Sequence, residues 1–414
     1  MACDVWIVST LLASDHVIVV GAGLAGWRFV ESLRGEGFAG DITLVGDESH
    51  APYDRPPLSK QVMSGKWDLA KATLASPEQL SESGATLRLG VRATKLDVAS
   101  TTVHLSDGSS VVGTHVVVAT GSRARQLSFP STGALPTLRS HDDAVRLTTV
   151  LDALATESVV VVIGGGFVGA EVATSLKTRG FTPVVLEAME RPLISVVGEQ
   201  ASSWLGALGE DAGVEVRTNQ QVSDVRTTDD GFTIALSDDS SIEARLVIAA
   251  VGSSLDLAWL ESSGLTLDNG VVVDRDLQAD LRVAAIGDVA RHRWLGTAGE
   301  EEVRIEHWQV ATDHAAHLAH FWMTGERSAP MVPYFWSDQY GKKIQMLGHP
   351  HPDDDVLIVS GSAEEKKWLA LYSRKGIVTG ALALSQPRWL MLSKPLLDTR
   401  TLLVDALERA PWSS

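Results

Sequence analysis

Cysteine is close to absent: Cys3 is the single one in 414 residues. One thiol excludes an internal disulfide, a multi-cysteine zinc site and a cysteine-anchored iron–sulfur cluster. Any redox chemistry must therefore be carried by a bound cofactor. Positive charge is also short, with 35 Lys and Arg against 52 Asp and Glu and a formal net charge of −17. Nucleic-acid binding depends on a clustered positive surface, so such a chain is a poor general binder of polyanions. No run approaches the ~18 uninterrupted apolar residues of a spanning helix. The opening MACDVWIVSTLLAS lacks the basic segment of a secretory signal and carries Asp4 instead. Residues 1–15 accordingly read as a flexible extension, and the chain as cytoplasmic.

What is present is a hydrophobic content of 44%, enough for packed cores, and a length that fits about two to four domains. The 36 glycines show no collagen-like period, so they serve particular backbone positions. The strongest organisational signal is an internal echo. HVIVVGAGLAGWRFVESLRGEG (16–37) leads to the strand-like DITLVGD, and VVVVIGGGFVGAEVATSLKTRG (159–180) leads to TPVVLEA. Each copy reads strand, glycine turn, helix, strand over about 30 residues, the length of a dinucleotide-binding unit. VVVATGS (116–122) closes the first half and LVIAAVGSS (246–254) the second. The intervening ATLRLG, TVHLSDGS, FTIALSDDSSI and ARLVIAAV suit β-meanders. A late buried strand in DLRVAAIGDVA (280–290) then suggests that the second fold is inserted into the first. Helical pattern resumes from about Glu306, and beyond about residue 329 four strand-like runs precede a helical end, as in a separate α+β domain.

In a GxGxxG turn the first glycine permits the bend, the second lets the backbone approach a pyrophosphate, and the third allows helix–strand packing. Gly21, Gly23 and Gly26 form one set; Gly164, Gly166 and Gly169 form the other. Glu187 ends the strand after the second set, where a carboxylate accepts hydrogen bonds from an adenosine ribose and repels a 2′-phosphate. That favours NADH over NADPH, with Arg191 nearby working the other way. In the first unit the strand ends at Gly46, which leaves Asp47 or Glu48 for the other ribose.

Two dinucleotide folds, the second inserted, resemble the flavin-dependent NAD(P)H reductases in which the first fold binds FAD and the second the nicotinamide nucleotide. The resemblance implies an α/β chain with two Rossmann-like domains and a C-terminal α+β domain. FAD would take 16–122 with 253–328, NADH would take 123–252, and 329–414 would form the last domain. Many of these reductases pass electrons through a CxxxxC pair, which this chain lacks, so disulfide substrates are excluded. PYDRPPLSK (52–60), GGGFVGAE (164–171), IEHWQVA (305–311) and VPYFWSDQYGKKIQMLG (332–348) occur in family order. Together they resemble the NADH-dependent ferredoxin reductases that feed Rieske-type dioxygenases and bacterial haem-thiolate monooxygenases, the putidaredoxin reductase type, over about residues 16–400.

That resemblance implies roles residue by residue. Lys60 would lie near flavin N5 with Glu171 as its buried partner, since a buried ammonium needs one. Arg55 would contact the FAD phosphates or flavin edge. Thr120, Gly121, Gly287 and Asp288 would belong to the FAD site, with Asp288 on ribityl or pyrophosphate-side hydroxyls, and Arg123 and Gly252 would also bind cofactor. Phe167 and Val168 follow the second glycine turn and would join the cofactor site. Trp308 and Trp336 would lie near the isoalloxazine, with Trp336 lining the electron exit. Glu306 and His307 would precede a helix whose amides face the flavin pyrimidine, His307 more as a polar contact than as a proton donor. His314 stands where the family has Gln, and Ser385-Gln386-Pro387-Arg388 where it has Asn-Arg-Pro-Arg.

The implied activity is hydride transfer from NADH to FAD, then single electrons to an iron–sulfur ferredoxin that supplies an oxygenase. Such ferredoxins are commonly acidic and need a locally positive docking face. Residues 331–414 hold ten Lys and Arg against nine Asp and Glu, so they supply the candidates Lys342, Lys343, Lys366, Lys367, Arg374, Lys375 and Arg388, joined by Arg291 and Arg293. The expected state is a monomer or homodimer without metal, nucleic-acid or membrane partners. Rubredoxin reductase, a monodehydroascorbate-type reductase and an NADH-sensing protein like apoptosis-inducing factor remain as alternatives.

Overall fold

The computed structural model describes residues 10–296, 299–329, 331–408 and 412; residues 1–9 of the expected extension lie outside them. The first sheet grows from runs of Val, Ile and Leu with no polar alternation, the pattern of parallel strands covered on both faces. Its six strands lie in the order Gln278–Asp280, Val283–Ala285, His115–Val118, His16–Val20, Asp41–Gly46, Thr86–Leu89. All neighbours are parallel except the first pair. Helices Leu24–Gly35 and Trp308–Thr324 pack together over it, with the Phe29 and Trp322 rings edge to face at 5.6 Å.

A second parallel sheet has the order Glu215–Arg217, Thr182–Leu186, Val159–Ile163, Leu246–Ala249. It falls in sequence between strands His115–Val118 and Val283–Ala285, which are neighbours in the first sheet. The second unit is therefore threaded into the first. Where the chain leaves and returns, Arg123–Ala124 pairs antiparallel with Ser253–Ser254.

Two segments expected in meanders are corrected. ATLRLG supplies Thr86–Leu89, the parallel edge of the first sheet, and ARLVIAAV supplies Leu246–Ala249, paired parallel with Val159–Ile163. The second is buried at every position, so its continuous apolar run is the parallel-strand pattern. The antiparallel triplets are Ala93–Asp97, Thr102–Leu105, Ser110–Val112 and Val222–Thr228, Gly231–Leu236, Ser241–Ala244.

The C-terminal unit is a five-stranded antiparallel sheet, ordered Tyr334–Gln339, Lys342–Gly348, Ile377–Leu384, Lys367–Arg374, Asp355–Ser362, and packed on helix Pro387–Asp398. Among the described residues no helix is long and apolar enough to cross a membrane.

Helix Trp308–Thr324 and its neighbours place several imidazoles in dry surroundings. Burial lowers the pKa of His292 and of His307 to about 4, that of His314 well below its usual value, and those of His317 and His349 as well. In the unfolded chain each titrates near ~6.5, so the unfolded state binds protons first as pH falls. Stability is thus full above about pH 6.5 and lost from there towards about pH 4. Thermal melts should show a falling Tm between about pH 7 and 5; a flat Tm across that window would contradict the burial of these rings.

Candidate functional site

The first glycine turn opens a cleft. Gly21 has φ +119°, and a Cβ there would lie 2.1 Å from the Ala119 carbonyl oxygen; a Cβ on Gly26 would lie 1.9 Å from the Gly21 carbonyl oxygen. Around Gly23 there is open space. The bend, the backbone approach and the helix packing thus fall to the three glycines in the expected order. The cleft has a volume of about 280 Å³, with walls from residues 21–25, 46–48, 53–56, 119–122 and 306–308, and from Lys60, Phe167, Val168, Glu171, Asp288 and Trp336. Thr120 and Gly121 are in its wall, while Gly26 stays behind it as a packing residue. Gly287 also stays behind, its φ of +70° and its 2.9 Å approach to Ala25 Cβ excluding a side chain.

The walls meet at Glu171. Its Oε1 lies 2.9 Å from Lys60 Nζ and accepts from Ser337 Oγ at 2.6 Å, while Oε2 accepts from Ser59 Oγ at 2.6 Å. The Lys60 and Glu171 side chains are only 13% and 6% exposed, so the pair is largely withdrawn from water. Ser59 and Lys60 come from the single helical turn Leu58–Val62, Glu171 from helix Phe167–Thr178 and Ser337 from strand Tyr334–Gln339. One carboxylate ties together the two nucleotide units and the C-terminal sheet. Ser59 and Ser337 escaped sequence reading because a lone serine carries no spacing signal.

Asp288 accepts from Ser122 Oγ and Arg139 Nη2, both at 2.9 Å. Glu48 accepts from Tyr53 O–H at 2.7 Å and pairs with Arg55 at 3.0 Å. Arg55 lines the cleft, but its guanidinium is already engaged by Glu48 and by the Arg139 carbonyl, so it orders the wall. Asp47 lines the cleft and pairs with Arg123 at 3.0 Å. Arg123 also meets Asp256, and the Gly252 carbonyl accepts from Arg125 N–H; both sit at the antiparallel crossing between the units, outside the cleft wall.

Trp308 Nε1 donates to Asp54 at 2.7 Å, a partner the sequence did not reveal, and burial raises the Asp54 pKa. The Trp308 and Trp336 rings meet edge to face at 6.0 Å, and Trp336 stacks on Tyr334 at 5.9 Å. The long helix starts at Trp308 with His307 as N-cap residue, so Glu306 and His307 precede it as expected and its first amides open on the cleft. Burial lowers the His307 pKa to about 4, and its ring packs on Phe335 at 5.0 Å. Glu306 lines the cleft, pairs with Arg304 and accepts from Ser253 Oγ. The unexpected His314 is fully buried and its Nδ1 accepts the Gly287 N–H at 3.2 Å, fixing the glycine beside Asp288.

The second turn repeats the first. Gly164 has φ +107°, a Cβ on Gly169 would lie 1.9 Å from the Gly164 carbonyl oxygen, and Gly166 faces open space. Glu187 accepts from Gly165 N–H through Oε2 and from Met189 N–H through Oε1, both at 2.8 Å, which sets its carboxylate on the turn. Arg191 is drawn to Glu190 and Glu199. Neither Glu187 nor Arg191 lines the main cleft. A pyrophosphate fits both turns: each has a backbone bend, an open second glycine and a helix N-terminus, so the chain can hold FAD and a nicotinamide nucleotide.

Several of the expected docking cations are engaged in ion pairs. Lys343 pairs with Asp338, Lys366 with Asp211, Arg374 with Asp354 and Glu301, and Arg291 and Arg293 both approach Glu302. Arg388 lies over the Trp389 ring at 5.0 Å. None of these six, nor Lys342, Lys367 or Lys375, lines the cleft.

Comparison with known proteins places a pyridine nucleotide-disulphide oxidoreductase model on residues 15–315 and a reductase C-terminal model on residues 334–409. The chain is 31% identical over 395 residues to the benzene 1,2-dioxygenase system ferredoxin–NAD(+) reductase subunit of Pseudomonas putida, covering 94% of each chain. It is 33% identical to rhodocoxin reductase of Rhodococcus erythropolis, covering 92% of this chain and 89% of that one. The covalent putidaredoxin reductase–putidaredoxin complex superposes with a TM-score of 0.88 at 29% identity and 94% coverage of both chains.

Proposed function

We propose, from the premise that this chain belongs to the pyridine nucleotide-disulphide oxidoreductase family, that it is a ferredoxin–NAD(+) reductase serving an oxygenase system. The observation that carries this reading is the Lys60–Glu171 pair, hydrogen-bonded from three segments within a cleft that begins at the first glycine turn. Bound FAD supplies the chemistry of accepting a hydride and releasing electrons one at a time.

The residues divide the remaining work. Gly21 and Gly23 offer backbone room and helix amides to a pyrophosphate, and Asp288, oriented by Arg139 and Ser122, offers a carboxylate to hydroxyls. Asp47 and Glu48 stand where a ribose would be read. Lys60 supplies a positive charge that the buried Glu171 keeps in place, favouring negative charge developing beside it. The amides ahead of Trp308 act in the same direction. Gly164–Gly169 and Glu187 bind the nicotinamide nucleotide, and the anchored Glu187 carboxylate disfavours a 2′-phosphate. Trp336, packed between Trp308 and Tyr334, lines the route by which electrons leave. The acceptor is an iron–sulfur ferredoxin that meets the C-terminal sheet near this tryptophan.

Purified protein loaded with FAD should reduce a [2Fe–2S] ferredoxin with NADH, and NADPH should give at least a tenfold lower kcat/KM. Failure to take up flavin would overturn the reading. Ferredoxin turnover should fall with ionic strength while ferricyanide turnover does not; salt-independent ferredoxin turnover would remove charge from the account of docking.

A further inference from the structure

His50, His141 and Asp142 form a cluster at the edge of the cofactor cleft to which the proposed hydride and electron transfer gives no part. His50 Nε2 lies 2.8 Å from Asp142 Oδ1, and His141 Nδ1 lies 3.5 Å from the same oxygen. The two imidazoles stack at 3.7 Å. One nitrogen from each histidine and one carboxylate oxygen lie within 4.8 Å of one another, the one such group of three among the described residues. His141 Nδ1 is buried and has no hydrogen-bond partner, although an imidazole nitrogen in such a position ordinarily finds one.

We propose that these three side chains form a binding site for a divalent transition-metal ion of the zinc class. Two imidazoles and one carboxylate suit Zn²⁺, Ni²⁺ or Cu²⁺ and not the all-oxygen shells of Mg²⁺ or Ca²⁺. Metal–ligand bonds of about 2.0–2.2 Å put ligand atoms about 3.3 Å apart, so the 2.8 Å contact between His50 and Asp142 has to widen and the stacked imidazoles have to turn towards a shared ion. Asp142, whose side chain is 62% exposed, leaves room for that rotation and for water in the fourth position. The backbone beneath is already fixed: Ser140 and Asp143 form a capping box, and the His141 N–H donates to Tyr53 Oη at 2.8 Å.

The position gives the ion a consequence. His50 lines the cofactor cleft shortly after strand Asp41–Gly46, whereas His141 and Asp142 open helix His141–Ala153, which leads into the inserted unit. A bound ion would pin the cleft wall that carries Glu48 and Tyr53 to the start of that unit.

The test uses tag-free, FAD-loaded protein titrated with Zn²⁺ against a chromophoric chelator, which reads metal binding without recourse to activity. One equivalent should bind, with at least tenfold weaker binding in His50→Gln and in Asp142→Asn, and Mg²⁺ should not compete. Asp142→Asn changes an exposed side chain and so keeps the test valid if His50→Gln disturbs the cleft. Absence of zinc binding in the parent protein, or equal binding in the parent and Asp142→Asn, would overturn the proposal.

Discussion

Replacing Glu171 with alanine should destabilise the protein by about 3–5 kcal/mol, the usual loss when one member of a buried ion pair is removed. It should also suppress hydride transfer from NADH. The change leaves the Lys60 ammonium without its anion and the Ser59 and Ser337 hydroxyls without their acceptor, all in a region nearly closed to water. Glu171→Gln keeps an acceptor for the serines but removes the charge, so its loss should be smaller. Chemical denaturation measures the stability, and stopped-flow reduction by NADH measures the transfer. A double-mutant cycle with Lys60→Met separates the pair from its members: the double variant should lose less than the two single losses together. Strictly additive losses would mean that lysine and glutamate act independently.

The second large effect distinguishes the two glycine turns. Gly26→Ala and Gly169→Ala make the same change in equivalent places, each driving a methyl to 1.9 Å from a backbone carbonyl oxygen. Backbone offers no rotamer escape, so each helix must shift off its strand. Gly26→Ala should give protein depleted of flavin, seen as loss of absorbance near the visible flavin band. Gly169→Ala should stay yellow and raise KM for NADH at least tenfold, equivalent to about 1.4 kcal/mol of lost binding. The reverse pattern would exchange the assignments of the two folds.

Both glycine turns and the order of the three units were legible in the sequence because they rest on local rules. Glycines are placed by backbone geometry, and the Val-rich strands around them are placed by burial on two faces. The Lys60–Glu171 pair was legible through resemblance. Spacing would not have joined residues more than a hundred positions apart. What escaped reading depended on contacts made only after folding: Ser337 reaching Glu171, Asp54 under Trp308, Arg139 on Asp288. The misplacement of Thr86–Leu89 and Leu246–Ala249 has a related cause. Four residues are too few for their own pattern to separate an edge strand of a parallel sheet from a meander, and the neighbour decides. The partners of surface charges also escaped reading, because a count of Lys and Arg does not show that Arg374 pairs with Asp354 and Glu301.

The inserted unit is joined to its host by two chain crossings that pair with each other, Arg123–Ala124 against Ser253–Ser254. Two strands bonded side by side form a narrow ribbon, which twists more than a broad sheet does. Away from this crossing, Glu171 is a clasp on the inserted unit, with Lys60, Ser59 and Ser337 as its catches on the other two bodies. Loosening that clasp is the step that any wide opening between the units has to include.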